Sequence, residues 1–319
     1  MFSDFKNNDC LMLNTARSSL YVTIDTLLTN NKDIKQILLP DLICSDIIPI
    51  IEHFGISIKF YSIDKNLNPD LNQINDYIQD QLSIVLIVNY FGFASDWSGI
   101  YELKLSNQCI IVEDNAHSLY GGYDNKDFGS LGDISFNSIR KILPVLSGSI
   151  LRFNSNIEPI FKIKKRILNI TEFLNSLRFI RNYARVNKKS TIDYSDQNIV
   201  ESIDYLSEKI FLSQQCQKLN ISNKREHNYN VWKKYLSNSE LEIIKPHAST
   251  CPYAFPCIYK DERVYDKWVD WGITNNINII KWPSLPDIES HRLKYSELSN
   301  IMLFPVNHMI DLDFLGYST

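Results

Sequence analysis

The residues best suited to chemistry fall in one window, Val112 to Ser149. An apolar, strand-like run ends in Glu113 and Asp114, and His117 lies three residues beyond the aspartate. Glycine-rich turns follow at Gly121-Gly122 and at Gly129 to Asp133, then Ser138 and Lys141 in a Ser-x-x-Lys arrangement, with Gly148 after them. A lysine amine can attack a carbonyl and carry protons, and a carboxylate at a strand end can hold a cationic partner. Each residue also has a plainer reading. Alone, Lys141 would be a solvated surface lysine, Asp114 a helix N-cap, His117 a structural histidine and Ser138 a turn hydroxyl. Only their order and spacing together favour a site.

Regular elements must hold these groups. Gln36 to Leu39, Ile56 to Ile63, Ser83 to Val88 and Cys109 to Val112 read as strands, while Ser18 to Leu28, Ile47 to Phe54 and Leu71 to Gln81 read as helices. Strands apolar on both faces and separated by helices predict a mostly parallel central sheet covered on both sides. Ligands of such sheets lie beyond the carboxyl ends of the strands. Asp114 and Asn89 each follow an apolar run, so both belong at that edge. Further on come a basic helical stretch over Ile157 to Asn187 and a polar loop over Lys188 to Gln197. Helices at Ile199 to Leu219 and Asn223 to Leu236, with strands at Tyr253 to Tyr259 and Ile277 to Trp282, complete the chain. The predicted class is α/β: a large domain over residues 1–197 and a smaller α+β domain over 198–319.

Composition limits the function classes. The 319 residues carry 33 Lys+Arg and 37 Asp+Glu, a net charge of −4, so no basic field attracts nucleic acid. An apolar content of 44% supports a sizeable core. The six cysteines form no CxxC pair, which predicts no metal site and a reducing compartment. The first residues, MFSDFKNNDC, have no basic flank and apolar stretch of a secretory signal. The longest apolar run, Ile84 to Val88, is far short of the roughly 20 residues that span a bilayer. A soluble cytoplasmic protein with no membrane association is expected.

The central window resembles the DegT/StrS family of pyridoxal-phosphate (PLP) sugar aminotransferases, which have the aspartate-aminotransferase fold. Val112 to His117 is similar to the family's V-I-E-D-A-A-Q, Gly129 to Asp133 to its G-S-x-G-D, and Ser135 to Lys141 to its S-F-H-P-T-K. Weaker likenesses occur at Leu39 to Cys44, Val88 to Gly92, Trp271 to Ile273 and Leu303 to Val306. The resemblance implies that Lys141 holds PLP as a Schiff base and then moves protons at the substrate carbon. It implies that Asp114 keeps the pyridine nitrogen protonated and that His117 bonds or covers the ring. Arg17 and Ser18 before the first helix, with Ser138, would bind the phosphate.

Departures from the pattern point to a divergent, short member. The stretch from Asp133 to Lys141 is about two residues shorter than usual, so either Arg140 or Lys141 can be laid over the cofactor lysine. Lys141 is preferred because its distance to Gly148 matches and because arginine cannot form a Schiff base. Ser147 and Ser149 replace a glutamate and a glycine, Ala16-Arg17-Ser18 replaces Ser-Gly-Thr, and Cys44 stands where an aromatic commonly stacks on the ring. The implied reaction moves an amino group from glutamate to the keto group of a nucleotide-linked sugar, in surface-polysaccharide or O-antigen sugar synthesis, in a homodimer. A lysine at this place argues against the family's dehydrating relatives, in which a histidine replaces it. Two other readings stay open: a PLP enzyme acting on a non-nucleotide ketone, and a catalytically silent relative serving as a partner subunit.

Overall fold

The computed structural model describes residues 10–79, 81–106, 109–155, 157, 163–182, 200–244, 251–288 and 291–317. Strands β1 (Cys10–Leu13), β2 (Gln36–Pro40), β3 (Ser57–Tyr61), β4 (Ser83–Val88) and β5 (Cys109–Asn115) come first. After a short hairpin of β6 (Gly122–Tyr123) and β7 (Lys126–Asp127) come β8 (Ile134–Asn137) and β9 (Ser149–Phe153). Seven of these strands form one sheet in the order β1-β9-β8-β5-β4-β2-β3. Its five-strand core, β8-β5-β4-β2-β3, is parallel, and β9 and β1 are added antiparallel at one edge. Every residue of β2 and β4 is buried, as a parallel sheet covered on both faces requires.

Helices α1 (Ala16–Asn30), α2 (Ile48–Glu52), α3 (Leu71–Ile78), α4 (Trp97–Ser106) and the single turn α5 (Ile139–Ile142) accompany the sheet. Thr15 starts α1 by accepting the Ser18 N–H on its side chain, and Asp70 does the same for α3 through Gln73. The predicted helix over Ile47 to Phe54 is shorter: a 3-10 turn at Ser45–Ile47 leads into α2, and the chain reverses at Gly55 with φ +65°.

Of the predicted basic helix over Ile157 to Asn187, Ile170–Asn182 is helical (α6) while residues 163–169 are extended or irregular; residues 158–162, 183–187, the polar loop and the expected boundary at 197 lie outside the described residues. The predicted helix over Ile199 to Leu219 is shorter, α7 (Tyr205–Gln214), and a 3-10 turn at Gln215–Gln217 ends it; the helix predicted over Asn223 to Leu236 begins earlier, as α8 (Lys218–Tyr235). Asp204 caps α7 through Ser207, and at the break the Gln215 side chain takes the Phe211 carbonyl. A second sheet of β10 (Glu242–Ile243), β11 (Ala254–Ile258), β12 (Ile280–Trp282) and β13 (Ile301–Pro305) is antiparallel, in the order β10-β11-β13-β12. With α8 and α9 (Glu262–Thr274) it encloses an aromatic core around Trp232, Phe255, Trp268 and Phe304. The main core is continuous with this half, because Ala254, Ile258, Ile301 and Leu303 pack into the cluster that contains β2, β4 and β5.

Candidate active site

A cleft with about 820 Å3 of open space lies at the carboxyl ends of the parallel strands. Ile43 and Cys44 enter it after β2, Val88 and Tyr90 at the end of β4, and Asp114 and His117 at the end of β5. Ser138, Arg140 and Lys141 come from α5, Thr15, Ala16 and Arg17 from the start of α1, and Trp282 from the second sheet. The tertiary fold therefore brings Lys141, Asp114, His117, Ser138 and Arg17 to one cavity. Ser18 is not on its wall: the hydroxyl turns back onto Thr15 Oγ1 at 2.9 Å, and the end of α1 that lines the cleft is Thr15 to Arg17.

Glu113 and Asp114 are neighbours with opposite jobs, because successive strand residues point to opposite faces. Glu113 is fully buried behind the sheet end and accepts the N–H groups of Gly129, Leu131 and Gly132 and the amides of Asn89 and Asn115. It thereby shapes the Gly129 to Asp133 turn. Asp114 faces the cleft. Its Oδ1 accepts the Ala116 N–H at 2.7 Å, and its other oxygen has no hydrogen-bond partner among the described residues. Burial pushes its pKa up to about 6, against the pull of that N–H and of Lys141.

Lys141 makes no hydrogen bond or ion pair among the described residues; its Nζ lies 5.7 Å from the centroid of the Tyr253 ring. Burial first, and then the Arg140 charge, pull its pKa down to about 8, while Asp114 pulls the other way. Ser138 precedes α5 without capping it, so its hydroxyl stays available to the cleft. Gly148 anchors this turn: its carbonyl accepts the Ile139 N–H at 2.9 Å and its N–H reaches Asn14 at 2.7 Å. Its φ of +134° and the closeness of Ile139 and Ile203 leave no room for a side chain.

His117 is held between two rings, parallel to Phe91 at 5.4 Å and to Tyr253 at 4.8 Å. Its Nδ1 accepts the Phe91 N–H at 3.4 Å, and burial drives its pKa well down. The imidazole is therefore neutral with its proton on Nε2, a hydrogen-bond donor. Ser147 and Ser149 have structural partners. Ser147 donates to Asp204, and Ser149 joins Ser19 of α1 at 2.7 Å and the Asn137 carbonyl at 2.5 Å.

Three contributors were not predicted from sequence. Thr15 carried a legible signal, a threonine just before an amphipathic helix. Arg140 was read only as a competitor for Lys141, yet it too lines the cleft. Trp282 lies more than 140 residues from Lys141 in the chain, and no local pattern could have placed it there.

The fold is one shared with solved structures of sugar aminotransferases. A sequence model of the DegT/DnrJ/EryC1/StrS aminotransferase family matches residues 7–156, just under half of the chain, in the stretch that contains Asp114 and Lys141. Two curated relatives are named GDP-4-keto-6-deoxy-D-mannose 3-dehydratase. That of Escherichia coli O55:H7 is 24% identical over 51% of this chain and 40% of its own length; that of Yersinia pseudotuberculosis is 29% identical over 26% and 21%. The matches span less than half the length of these relatives. Among solved structures, the E. coli GDP-4-keto-6-deoxy-D-mannose-3-dehydratase with bound hydrated PLP superposes with a TM-score of 0.71, covering 99% of this chain and 88% of that one at 18% identity. A putative sugar aminotransferase of Streptococcus pneumoniae in its PMP form gives 0.71 over 97% and 83%, at 13% identity.

The residues present fit that cofactor. A half-buried lysine without an ion-pair partner among the described residues, a buried carboxylate with an open oxygen and a neutral ring N–H donor surround one cavity. At its other end, the Ala16 and Arg17 N–H groups at the start of α1 face a place suited to a phosphate.

Proposed function

We propose that this chain is a PLP-dependent enzyme of nucleotide-linked sugars that moves the amino group of glutamate onto a sugar keto group. The observation that carries this reading is the half-buried Lys141, without an ion-pair partner among the described residues, on the same cleft as Asp114. Bound PLP supplies an electron sink for charge that develops at the substrate carbon. Lys141 would hold the cofactor through its carbonyl, and its amine, once free, would carry the proton between the reacting carbons; a pKa of about 8 suits both directions near neutral pH. Asp114 would keep the ring nitrogen protonated, and the His117 Nε2–H would serve as a donor to the ring. Arg17, the α1 N–H groups and the Ser138 hydroxyl would bind the phosphate. The products balance as 2-oxoglutarate and an aminosugar.

The two relatives named 3-dehydratases favour a second reading, removal of a sugar hydroxyl on the same cofactor. Lys141 supports transamination over it, since an amine that stays covalently competent can regenerate the cofactor for each half-reaction. The test is to add PLP and glutamate to wild type and to Lys141→Ala. Release of 2-oxoglutarate by wild type alone, followed by amination of a nucleotide ketosugar, is the expected result. Glutamate consumption with loss of a sugar hydroxyl would establish the second reading, and a wild type that takes up no PLP would end both. A homodimer and a cytoplasmic setting, implied by the family resemblance, belong to the same proposal. Sedimentation analysis of the loaded protein tests the first.

A further inference from the structure

The position of Lys141 depends on a residue from the far half of the chain. Its Nζ lies over the face of Tyr253, 5.7 Å from the ring centroid and within cation–π range. The ring is fixed from several sides. It stacks on His117 at 4.8 Å and 10°, and the Tyr253 N–H donates to the Phe91 carbonyl at 2.7 Å. Arg225 of α8, almost fully buried, donates to the Tyr253 carbonyl at 3.4 Å and the Pro252 carbonyl at 3.2 Å. The same guanidinium donates to the Ile142 carbonyl at 2.9 Å, in the turn that carries Lys141. One cation therefore ties together the segments that bear the lysine and the tyrosine. Gly92 allows the close approach: a Cβ there would lie 2.2 Å from the Cys251 carbonyl oxygen.

We propose that Tyr253 is a positioning residue for Lys141: its ring face seats the lysine's ammonium and holds it next to His117 at the inner end of the cleft. The chemical importance of that seat rests on the reading of Lys141 as the cofactor lysine; the seat itself does not. The other groups acting on the amine are Arg140 beside it, Asp114 on β5, and Cys44 and Asp46 after β2. The tyrosine is in ring contact with His117 and lies under the Lys141 amine, and so touches both.

The test reads Lys141 in the protein without cofactor. Partial acetylation is followed by peptide mass spectrometry across pH 6–11 for wild type, Tyr253→Phe and Tyr253→Leu. Wild type and Tyr253→Phe are expected to share a midpoint, because both keep the ring. Tyr253→Leu is expected to titrate lower by roughly half a unit to one unit, as loss of the ring face removes stabilisation of the ammonium. Should the leucine variant fail to fold, pentafluorophenylalanine at position 253 keeps the shape while withdrawing the negative ring face, and the same downward shift is expected. An unchanged midpoint in a folded ring-less or fluorinated variant overturns the proposal. The rate of PLP uptake, read from the visible absorbance, separates the two ideas. A shifted midpoint in a protein that never takes up PLP keeps the seat and defeats the proposed function.

Discussion

Asp114 and Lys141 are each displaced from their ordinary titration range by the burial that makes them useful. Asp114 rises from 3.8 to about 6, so the folded protein keeps a proton there that the unfolded chain has released. Its contribution to stability is complete below about pH 4 and is lost as pH climbs through 6. In Asp114→Asn, the cofactor-free protein is expected to lose that fall, about 2 kcal/mol between pH 4 and 7 in denaturant titrations, while the loaded enzyme loses activity by about a hundredfold or more. Lys141 runs the other way. Its folded pKa is lowered from 10.5 to about 8, so the folded state tolerates the charged form poorly and gains stability as pH rises from 8 towards 10.5. Replacing the amine by an apolar chain, Lys141→Met, is expected to raise the melting temperature of the cofactor-free protein at pH 7 by a few degrees, a difference that closes near pH 10. A variant melting at or below wild type at pH 7 would contradict this. The identities of both residues were legible in the sequence, because their spacing to Gly129, Asp133 and Gly148 is dictated by a local path of strand, turn and helix. The tautomer of His117 was not, since it depends on Phe91 from another loop.

At the scale of elements, the site stands on strand ends and helix starts secured by polar side chains. Glu113 satisfies three backbone N–H groups in the turn after β7, and the Glu113→Gln amide has one acceptor oxygen in place of two. About 2–3 kcal/mol of stability is expected to be lost, read as a shift of the urea midpoint at unchanged slope. Thr15→Ala removes the α1 cap and is expected to cost about 1 kcal/mol, with weaker cofactor binding because the N–H groups near the phosphate end fray. Unchanged PLP affinity in a destabilised Thr15→Ala protein would separate the cap from the phosphate site. The strand positions were readable from apolar runs such as Ser83 to Val88. The short strands β1, β8 and β9 were not, and the break between α7 and α8 falls a few residues earlier than expected. A strand of four or five residues carries too little periodicity, and the break coincides with a side-chain bond made by Gln215.

For the whole molecule, the two sheets share apolar packing; Trp282 reaches from the C-terminal half into the cleft, and Arg225 reaches the Ile142 carbonyl in the turn that carries Lys141. Unfolding is expected to be a single transition, with far-UV circular dichroism and tryptophan fluorescence coinciding in urea. Two separated transitions would show that the halves are independent. By itself the sequence determined the parallel sheet, through residue periodicity, and the motif order that carries the family resemblance, which in turn implies the lysine and aspartate pair. Tertiary structure alone decided that Thr15 rather than Ser18 faces the cleft, that Trp282 enters it, and that Tyr253 lies under Lys141. The last two join residues more than a hundred positions apart, and they exist only once burial of the shared core has brought the second sheet against the ends of the first.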